Sequence, residues 1–413
     1  GTGSGTVTGI GINCGSDCTE TKNQGTAITH TATSTTGSTF QGWSGGTCSG
    51  TGTCIVTLNA NTTVTATFNT QTAGGSGTYI VKQDGTGDFS SIQACADVAK
   101  AGDTCLVYPG NYPEIVKTKF GGTSANPGAC IPVTGTYPNL VPNTSQCDAQ
   151  RIIFKASGLV TVRGFWIQHP FITIDGFDIT GYTTSWQAHV NIFKNGNYCQ
   201  VINNTIRDGV ANVAGISFAP ESVHANNCTF RGNTLKNLNY IFLSINGANH
   251  LIENNVLEHL NNRDYVYLFG HDNIVRRNIF RDGNAVANVS NHPDWMQTFG
   301  DSGGQSYNML IEENWVENLE SALGQLSGGG GPQGISPDIH DWIFRNNVFT
   351  SVMNNLDIQL SVTFENNTFY RVSYSQNGIN IGGSLNRGDP SRTIIDNNVF
   401  VAGGSTSASG YYS

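Results

Sequence analysis

The sequence predicts an all-β chain dominated by a right-handed parallel β-helix, and three observations carry that prediction. First, a short phrase returns through the second half: VINNTI at 201–206, FRGNTL at 230–235, IENNVL at 252–257, VRRNIF at 275–280, IEENWV at 311–316, FRNNVF at 344–349, FENNTF at 364–369 and IDNNVF at 395–400. Aligned on its last Asn (Asn204, Asn233, Asn255, Asn278, Asn314, Asn347, Asn367, Asn398), it recurs every 20 to 36 residues, the spacing of a solenoid. Second, the flanking columns are apolar. Three residues before the Asn stand Val201, Phe230, Ile252, Val275, Ile311, Phe344, Phe364 and Ile395; two after it stand Ile206, Leu235, Leu257, Phe280, Val316, Phe349, Phe369 and Phe400. These read as interior stacks, like over like, as successive coils pair at about 4.8 Å. Third, two residues before the Asn the column reads Arg231, Glu253, Arg276, Glu312, Arg345, Glu365 and Asp396. Sign alternates through six positions, so each charge faces opposite charges on neighbouring coils, at about 0.2–1 kcal/mol per pair. The ladder Asn itself is expected to close a turn in the left-handed backbone region and to hydrogen-bond the next Asn along the stack.

Composition agrees. The chain has 413 residues, enough for two domains, with only 12% charged residues and 51 glycines. A net charge of −9 argues against nucleic acid or an anionic membrane surface as partner. No apolar run approaches the roughly 18 residues of a membrane span. Ten cysteines, an even number, point to an oxidising compartment. Cys199 and Cys228 each stand five residues before a ladder Asn, one column on adjacent coils, where a disulfide fits. Cys14–Cys18, Cys48–Cys54, Cys95–Cys105 and Cys130–Cys147 are the economical partners for the rest, and no Cys/His cluster has zinc spacing. The chain starts at Gly1 without Met or signal peptide, as expected of a processed or excised product. A secreted or cell-surface location follows.

Residues 1–70 contain the alternating runs GTVTGI, TAITHTATS and CIVTLNANTTVTATF, read as half-buried strands of a small β domain plugged by Trp43. With GSGTVT, INCGSDC, GSTFQGWSGG and CSGTGTCIVTLNANTTVTATF, this segment resembles the bacterial divergent B-repeat of internalin-type surface proteins. The resemblance implies a spacer or adhesive unit without catalysis, and a start inside GTGSGTVT is what further copies ahead of it in a longer precursor would leave. Residues 71–77, QTAGGSG, read as a flexible linker. The β-helix domain, 78–413, then opens on YIVKQDGTGDFSSIQACADVAKAGDTCLVYPGNYPE. Ser90 with Gln93 reads as a capping box for a short capping helix, Ile92, Cys95, Ala96 and Ala99 form its apolar stripe, and Gly102 suits its end. This stretch resembles the amino-terminal cap of pectin-lyase-like β-helix proteins, including the start of pectin methylesterases. VRGFWIQHPFITIDGFDITG at 162–181 is similar to their first regular coils, with Phe177 in the ladder position. The resemblance covers about 78–400 and implies a carbohydrate-active solenoid without naming a reaction. The final VFVAGGSTSASGYYS has no amphipathic cap, so either this tail covers the last coil's edge or the natural protein continues.

Coil length locates the expected chemistry. Asn255 to Asn278 spans 23 residues, but the next two intervals span 36 and 33. The insertions, NVSNHPDWMQTFGDSGG at 288–304 and SGGGGPQGISPDIHDW at 327–342, would build a groove over an exposed strand. Alternation assigns faces there. Val266 and Leu268 point in, with Tyr265 and Tyr267 out; Met296 and Thr298 point in, with Trp295, Gln297 and Phe299 out. Leu243 and Ile245 point in, with Phe242, Ser244 and Asn246 out; Leu356, Ile358 and Leu360 point in, with Asp357 and Gln359 out. An outer strip of rings and amides suits a sugar chain; surface aromatics beneath a loop are the competing reading. His292, Asp294, Trp295 and Gln297 form the densest polar constellation, and HPDWMQTFG is similar to His-x-Asp-x-x-Gln phrases of carbohydrate-active β-helices. Asp294 lies near a strand start, so alternation leaves its direction open.

Asp338 and His340 fall in the next long coil and Asp357 one coil further. Carboxylates one or two coils apart would stand roughly 5–10 Å apart, spanning the retaining and inverting separations of glycosidases. A lyase would instead use His292 or Tyr267 as base, and Arg, Lys, Gln or Ca²⁺ to neutralise a uronate; Arg263 and His271 are the nearby cations. His271 and His340 each stand seven residues before a ladder Asn, which equally suits a turn role. Polygalacturonase-type phrases, the Arg-centred pectate lyase motif, the pectin methylesterase aspartates, P-loops, dinucleotide fingerprints and EF-hand loops are absent. The leading expectation is a secreted bacterial polysaccharide-degrading enzyme, hydrolase or lyase, with His292, Asp294, Asp338 and Asp357 catalytic. Tyr265, Tyr267, Trp295, Gln297, Gln359, Arg263 and His271 would bind the glycan, with no cofactor unless the lyase route recruits Ca²⁺. The alternative is a non-catalytic adhesive or structural solenoid of the cell surface.

Overall fold

A computed structural model describes residues 1–14, 17–35, 38–70, 77–210, 212–220, 223–260, 263–283, 294–299, 305–319, 324–327, 339–352, 356–358, 362–370, 379–381 and 394–401. Among these, regular structure is strand apart from one helix, α1 (Ile92–Ala96), and a 3₁₀ turn at Pro127–Cys130. The second half is the right-handed parallel β-helix expected. Each coil lays down three short strands, because three corners per coil carry a residue with positive φ. Asn203, Asn254, Arg277, Glu313, Asn346, Asn366 and Asn397 take φ of 51–57° at the first corner. Asp208, Asn237, His259, Asp282 and Asn318 do so at the second, and Asn227, Asn249, Asp272, Asn308 and Asp341 at the third. Asn and Asp dominate because their short polar side chains tolerate that conformation.

Three parallel sheets result. Sheet A holds the strands entering the ladder turn (Leu251–Glu253, Ile274–Arg276, Ser306–Glu312 among them), sheet B those leaving it (Val256–Glu258, Ile279–Gly283, Trp315–Leu319), and sheet C those completing the coil (Leu243–Ile245, Val266–Leu268, Met296–Phe299). The apolar columns pair in register as read from the sequence: Val201, Phe230, Ile252, Val275, Ile311, Phe344, Phe364, Ile395 in sheet A. Phe344 stacks on Phe364, and Phe349 on Phe369, with centroids 4.8 Å apart, the coil repeat itself. The charge column pairs too: Arg231 meets Glu253 at 2.6 Å, while Glu312 holds Arg276 at 3.4 Å and Arg345 at 2.8 Å.

One expectation about the ladder is corrected. The left-handed residue is the one before each ladder Asn, and the ladder Asn itself is turned inward, buried at every coil but the last, where Asn398 is half-buried. There it hydrogen-bonds along the stack as expected. Asn278 Oδ1 accepts the backbone N–H and Nδ2 of Asn255 (3.0 and 2.9 Å), and its own Nδ2 donates to Ile252 O and Asn314 Oδ1, both at 3.0 Å. The first rung is Phe177, whose N–H donates to Asn204 Oδ1 at 2.9 Å.

The cap is also corrected in detail. Ser91, not Ser90, caps α1, accepting from Ala94 N at 3.1 Å, and the helix ends at Ala96, well before Gly102. Glu114 supplies the carboxylate to the first turn, accepting from Ile92 N (2.8 Å) and Gln93 N (2.9 Å). The stripe Ile92, Cys95, Ala96 and Ala99 is buried as expected. All five disulfides join the pairs expected. In residues 1–70, Gly5–Gly9 pairs with Ile12–Cys14 and Ala27–Ser34, and Ser38–Ser44 with Thr65–Thr70, around a core of Trp43, Cys54 and Val56.

Two imidazoles are locked inside the solenoid. His250 accepts Cys228 N–H at Nδ1 (3.1 Å) and donates from Nε2 to Asn246 O (3.0 Å), while His189 Nδ1 donates to Ala214 O (3.1 Å). Burial lowers both pKa values from 6.5 to about 4. Between those values the unfolded chain binds more protons than the fold, so stability falls as pH drops through the window, on the order of 3 kcal/mol per imidazole. Urea unfolding between pH 7 and 4 is expected to show this slope, and His250→Gln to make it shallower. An unchanged slope in that variant contradicts the burial argument.

Candidate functional site

Sheet C is where the coils differ chemically. Its register aligns Trp166, Asn191, Ser217, Ser244, Tyr267, Gln297, Gln325, Asp357 and Asn380 in one column, opposite in the pleat to core residues such as Val266 and Leu268. Three residues earlier, the described positions read Arg163, exposed on the continuous strand Val160–Ile167, and then, at the corner entering the sheet, Ala188, Ala214, Ile241, Asp264 and Asp294. From Ala188 onward the column is apolar for three coils and then acidic for two. Ala188, Ala214 and Ile241 pack with the half-buried Tyr240 and Tyr267 in a cluster separate from the main core.

The two carboxylates are knit into one unit. Asp264 and Asp294 are each 1% exposed. Asp264 Oδ1 accepts the Asp294 backbone N–H at 2.8 Å, and Tyr265 N–H donates to Asp294 O at 2.9 Å. The Tyr267 hydroxyl donates to the Asp264 carboxylate; burial first, and that carboxylate second, push the phenol above its ordinary pKa of 10, while Arg263 pulls the other way. Arg263 lies over the Tyr240 ring, 6.0 Å from its centroid. Burial likewise raises the Tyr240 phenol. Gln297, in register with Tyr267, is 8% exposed.

Three of the expected residues change sides. Tyr265, Trp295 and Phe242, assigned outward by alternation, are fully buried. Tyr265 donates to Arg281 O (2.7 Å) and packs edge-on to Phe242 and Phe280; Trp295 packs against Phe280, Phe344 and Phe349. The cause is geometric. The strands are three or four residues long, and the residue before each sits in the corner bend, where the period of two no longer applies. Met296, Thr298, Val266, Leu268, Leu243 and Ile245 point inward as assigned.

His271 belongs elsewhere. It occupies the opposite corner of its coil in the stack His271–Tyr307–His340, with centroids 4.8 and 5.3 Å apart, and each imidazole Nδ1 bonds the following Asp (Asp272 at 2.6 Å, Asp341 at 2.7 Å). That is the turn role. Arg263, Tyr267, Gln297 and Asp294 are brought together. His292, Asp338 and Gln359 lie outside the described residues, as does most of both insertions; Asp357 is placed in the register by its backbone alone.

Sequence reasoning missed Asp264, Tyr240 and the exposed Trp186 nearby. Counting back from the ladder Asn hides Asp264, because the interval lengthens at the next coil. Counting three back from Tyr267 and Gln297 would have aligned Asp264 with Asp294.

Residues 1–72 match the family described as the divergent InlB B-repeat domain. No curated protein sequence matched the chain. Among solved structures, similar ones include a GH136 lacto-N-biosidase from Eubacterium ramulus (11% identity, 79% of this chain and 68% of that one, TM-score 0.44). A tailspike protein of an E. coli bacteriophage, in complex with a pentasaccharide, matches at 12% identity over 76% of this chain and 62% of that one, TM-score 0.41. A pectin methylesterase in complex with a hexasaccharide matches at 8% identity over 73% and 92%, TM-score 0.38. With identities of 8–12% and TM-scores below 0.5, these likenesses carry nothing about what this chain binds or does. No helix among the described residues is long and apolar enough to cross a membrane.

Proposed function

We infer that the corner of sheet C around Asp264 and Asp294 binds a neutral glycan and hydrolyses it, in a protein secreted to or displayed on the bacterial surface. One observation carries this reading: two buried carboxylates stacked on adjacent coils, in a column that other coils fill with Ala188, Ala214 and Ile241. The coil geometry does not need a charge there, and burying an ion costs several kcal/mol even after relaxation. Buried titratable groups set beside a specific polar or charged partner gather at functional sites. Adjacent coils are about 4.8 Å apart, close to the roughly 5–5.5 Å between the carboxyls of a retaining glycosidase. Asp264, which accepts the Asp294 backbone N–H and faces the Tyr267 phenol, is assigned the nucleophile's part. Asp294 is then the acid. The sugar enters over Arg263 and Tyr267, which retain accessible surface.

The lyase route is weaker on the same residues. Tyr267 as base would have to ionise, and its surroundings hold the proton on. Two aspartates against one arginine would also repel a uronate. A panel of neutral and uronate-containing polysaccharides decides the matter. Reducing ends released from a neutral polymer with retained anomeric configuration are expected. Unsaturated products absorbing in the ultraviolet would assign a lyase, with or without Ca²⁺. Binding without cleavage of any polymer would assign an adhesive solenoid.

A further inference from the structure

We propose that Trp186, Tyr240 and Tyr267 form an aromatic track that holds a glycan polymer along the solenoid axis, on the amino-terminal side of the Asp264/Asp294 pair. This inference rests on the glycan-site reading above and adds the length and direction of the ligand. Trp186 is 68% exposed, and its φ of +64° puts a bulky residue where the adjacent coil uses Asn212 at φ +63°. The two are neighbours at one corner, since Trp186 N–H donates to Asn212 O at 2.7 Å. Asn or Gly would sit there without strain, whereas a bulky residue in this region costs about 1–3 kcal/mol. Solvent exposure returns none of that cost. The ring's one described contact is edge-on to Tyr240, with centroids 5.8 Å apart. It spans the intervening coil, where the small Ala214 leaves room.

From there the track continues without a gap. Tyr240 lies beneath Arg263 and packs in the same cluster as Tyr267, whose hydroxyl bonds Asp264. Ser217 and Ser244 run alongside in the register column. Trp186 precedes Gln187–Ile192, three sheet-C strands before Val266–Leu268, so the track is roughly 14 Å long at about 4.8 Å per coil. Rings and hydroxyls in file, with Arg263 over the Tyr240 ring, match the apolar faces and hydroxyl edges of a neutral sugar chain. A short glycoside would reach the aspartates without touching Trp186; a polymer would not.

The test compares the wild type with Trp186→Asn on a cleaved polymer and on a short aryl glycoside of the same sugar. Expected for Trp186→Asn are a KM for polymer raised about tenfold, unchanged kinetics on the short glycoside, and a melting temperature equal to or above the wild type's. Affinity electrophoresis with Asp264→Asn as the inactive background is expected to show the same weakening of polymer binding. A lowered melting temperature with unchanged polymer affinity would make Trp186 structural and overturn the track, leaving the aspartate site untouched. Loss of cleavage in Asp264→Asn without any effect of Trp186→Asn overturns the track in the same way. A wild type that neither binds nor cleaves a polymer overturns both readings.

Discussion

Asp264→Asn is expected to lower glycan cleavage at least about 10³-fold in kcat while leaving the melting temperature unchanged or raised. The amide still accepts the Asp294 N–H that Asp264 Oδ1 holds at 2.8 Å and still faces the Tyr267 hydroxyl, so the corner keeps its bonds. What is lost is the charge. A buried carboxylate replaced by a neutral isostere relieves desolvation, so a purely structural Asp264 would give no loss of rate. Asp294→Asn is expected to behave alike on substrates with poor leaving groups, because the acid is needed most there. Tyr267→Phe removes one donor from Asp264 and is expected to act more mildly. Initial rates with scanning calorimetry on the same preparations check the pattern. A fallen melting temperature with retained activity would recast the pair as a corner brace.

Asn278→Ala, in the middle of the ladder, is expected to destabilise the fold by about 4 kcal/mol. Its side chain makes four buried hydrogen bonds, and removing it orphans the N–H and one Nδ2 hydrogen of Asn255, at about 1–3 kcal/mol each, besides leaving a cavity. Arg277→Gly, one residue earlier, is the control. Arg277 takes φ +54° and pairs at the surface with Glu313, so glycine removes an exposed ion pair of little worth and relieves a left-handed residue. Chemical denaturation is expected to separate the two variants widely. Similar losses would mean that the turn, not the ladder, holds the coils.

That contrast also marks where sequence reading stops. The interior Asn was legible because its column recurs, but the left-handed role was assigned to it rather than to Asn254, Arg277 or Glu313 beside it. A repeat reports that a position is special. It does not report which of two adjacent residues carries the φ and which carries the hydrogen bonds. The candidate site was legible in part: Arg263, Tyr267, Asp294 and Gln297 were named and do meet. Tyr265 and Trp295 were given to the wrong side, since a period of two holds along a strand and fails in a bend. Asp264 escaped because the coils were counted from the ladder Asn, and the longer interval of the next coil shifts it out of line with Asp294.

By itself the sequence determined the columns that stack from coil to coil: the solenoid, the Phe and Ile stacks, the Arg/Glu alternation and the Cys199–Cys228 bridge between adjacent coils. In a parallel β-helix a residue's neighbour is its own counterpart one coil on, so a column in the sequence is a contact in space. Only the tertiary structure decided which way the corner residues turn and which unlike side chains meet across coils of unequal length. The acidic pair, Tyr240 and Trp186 belong to that second kind, because they lie at corners of coils of unequal length and the stacking of sheet C brings them together.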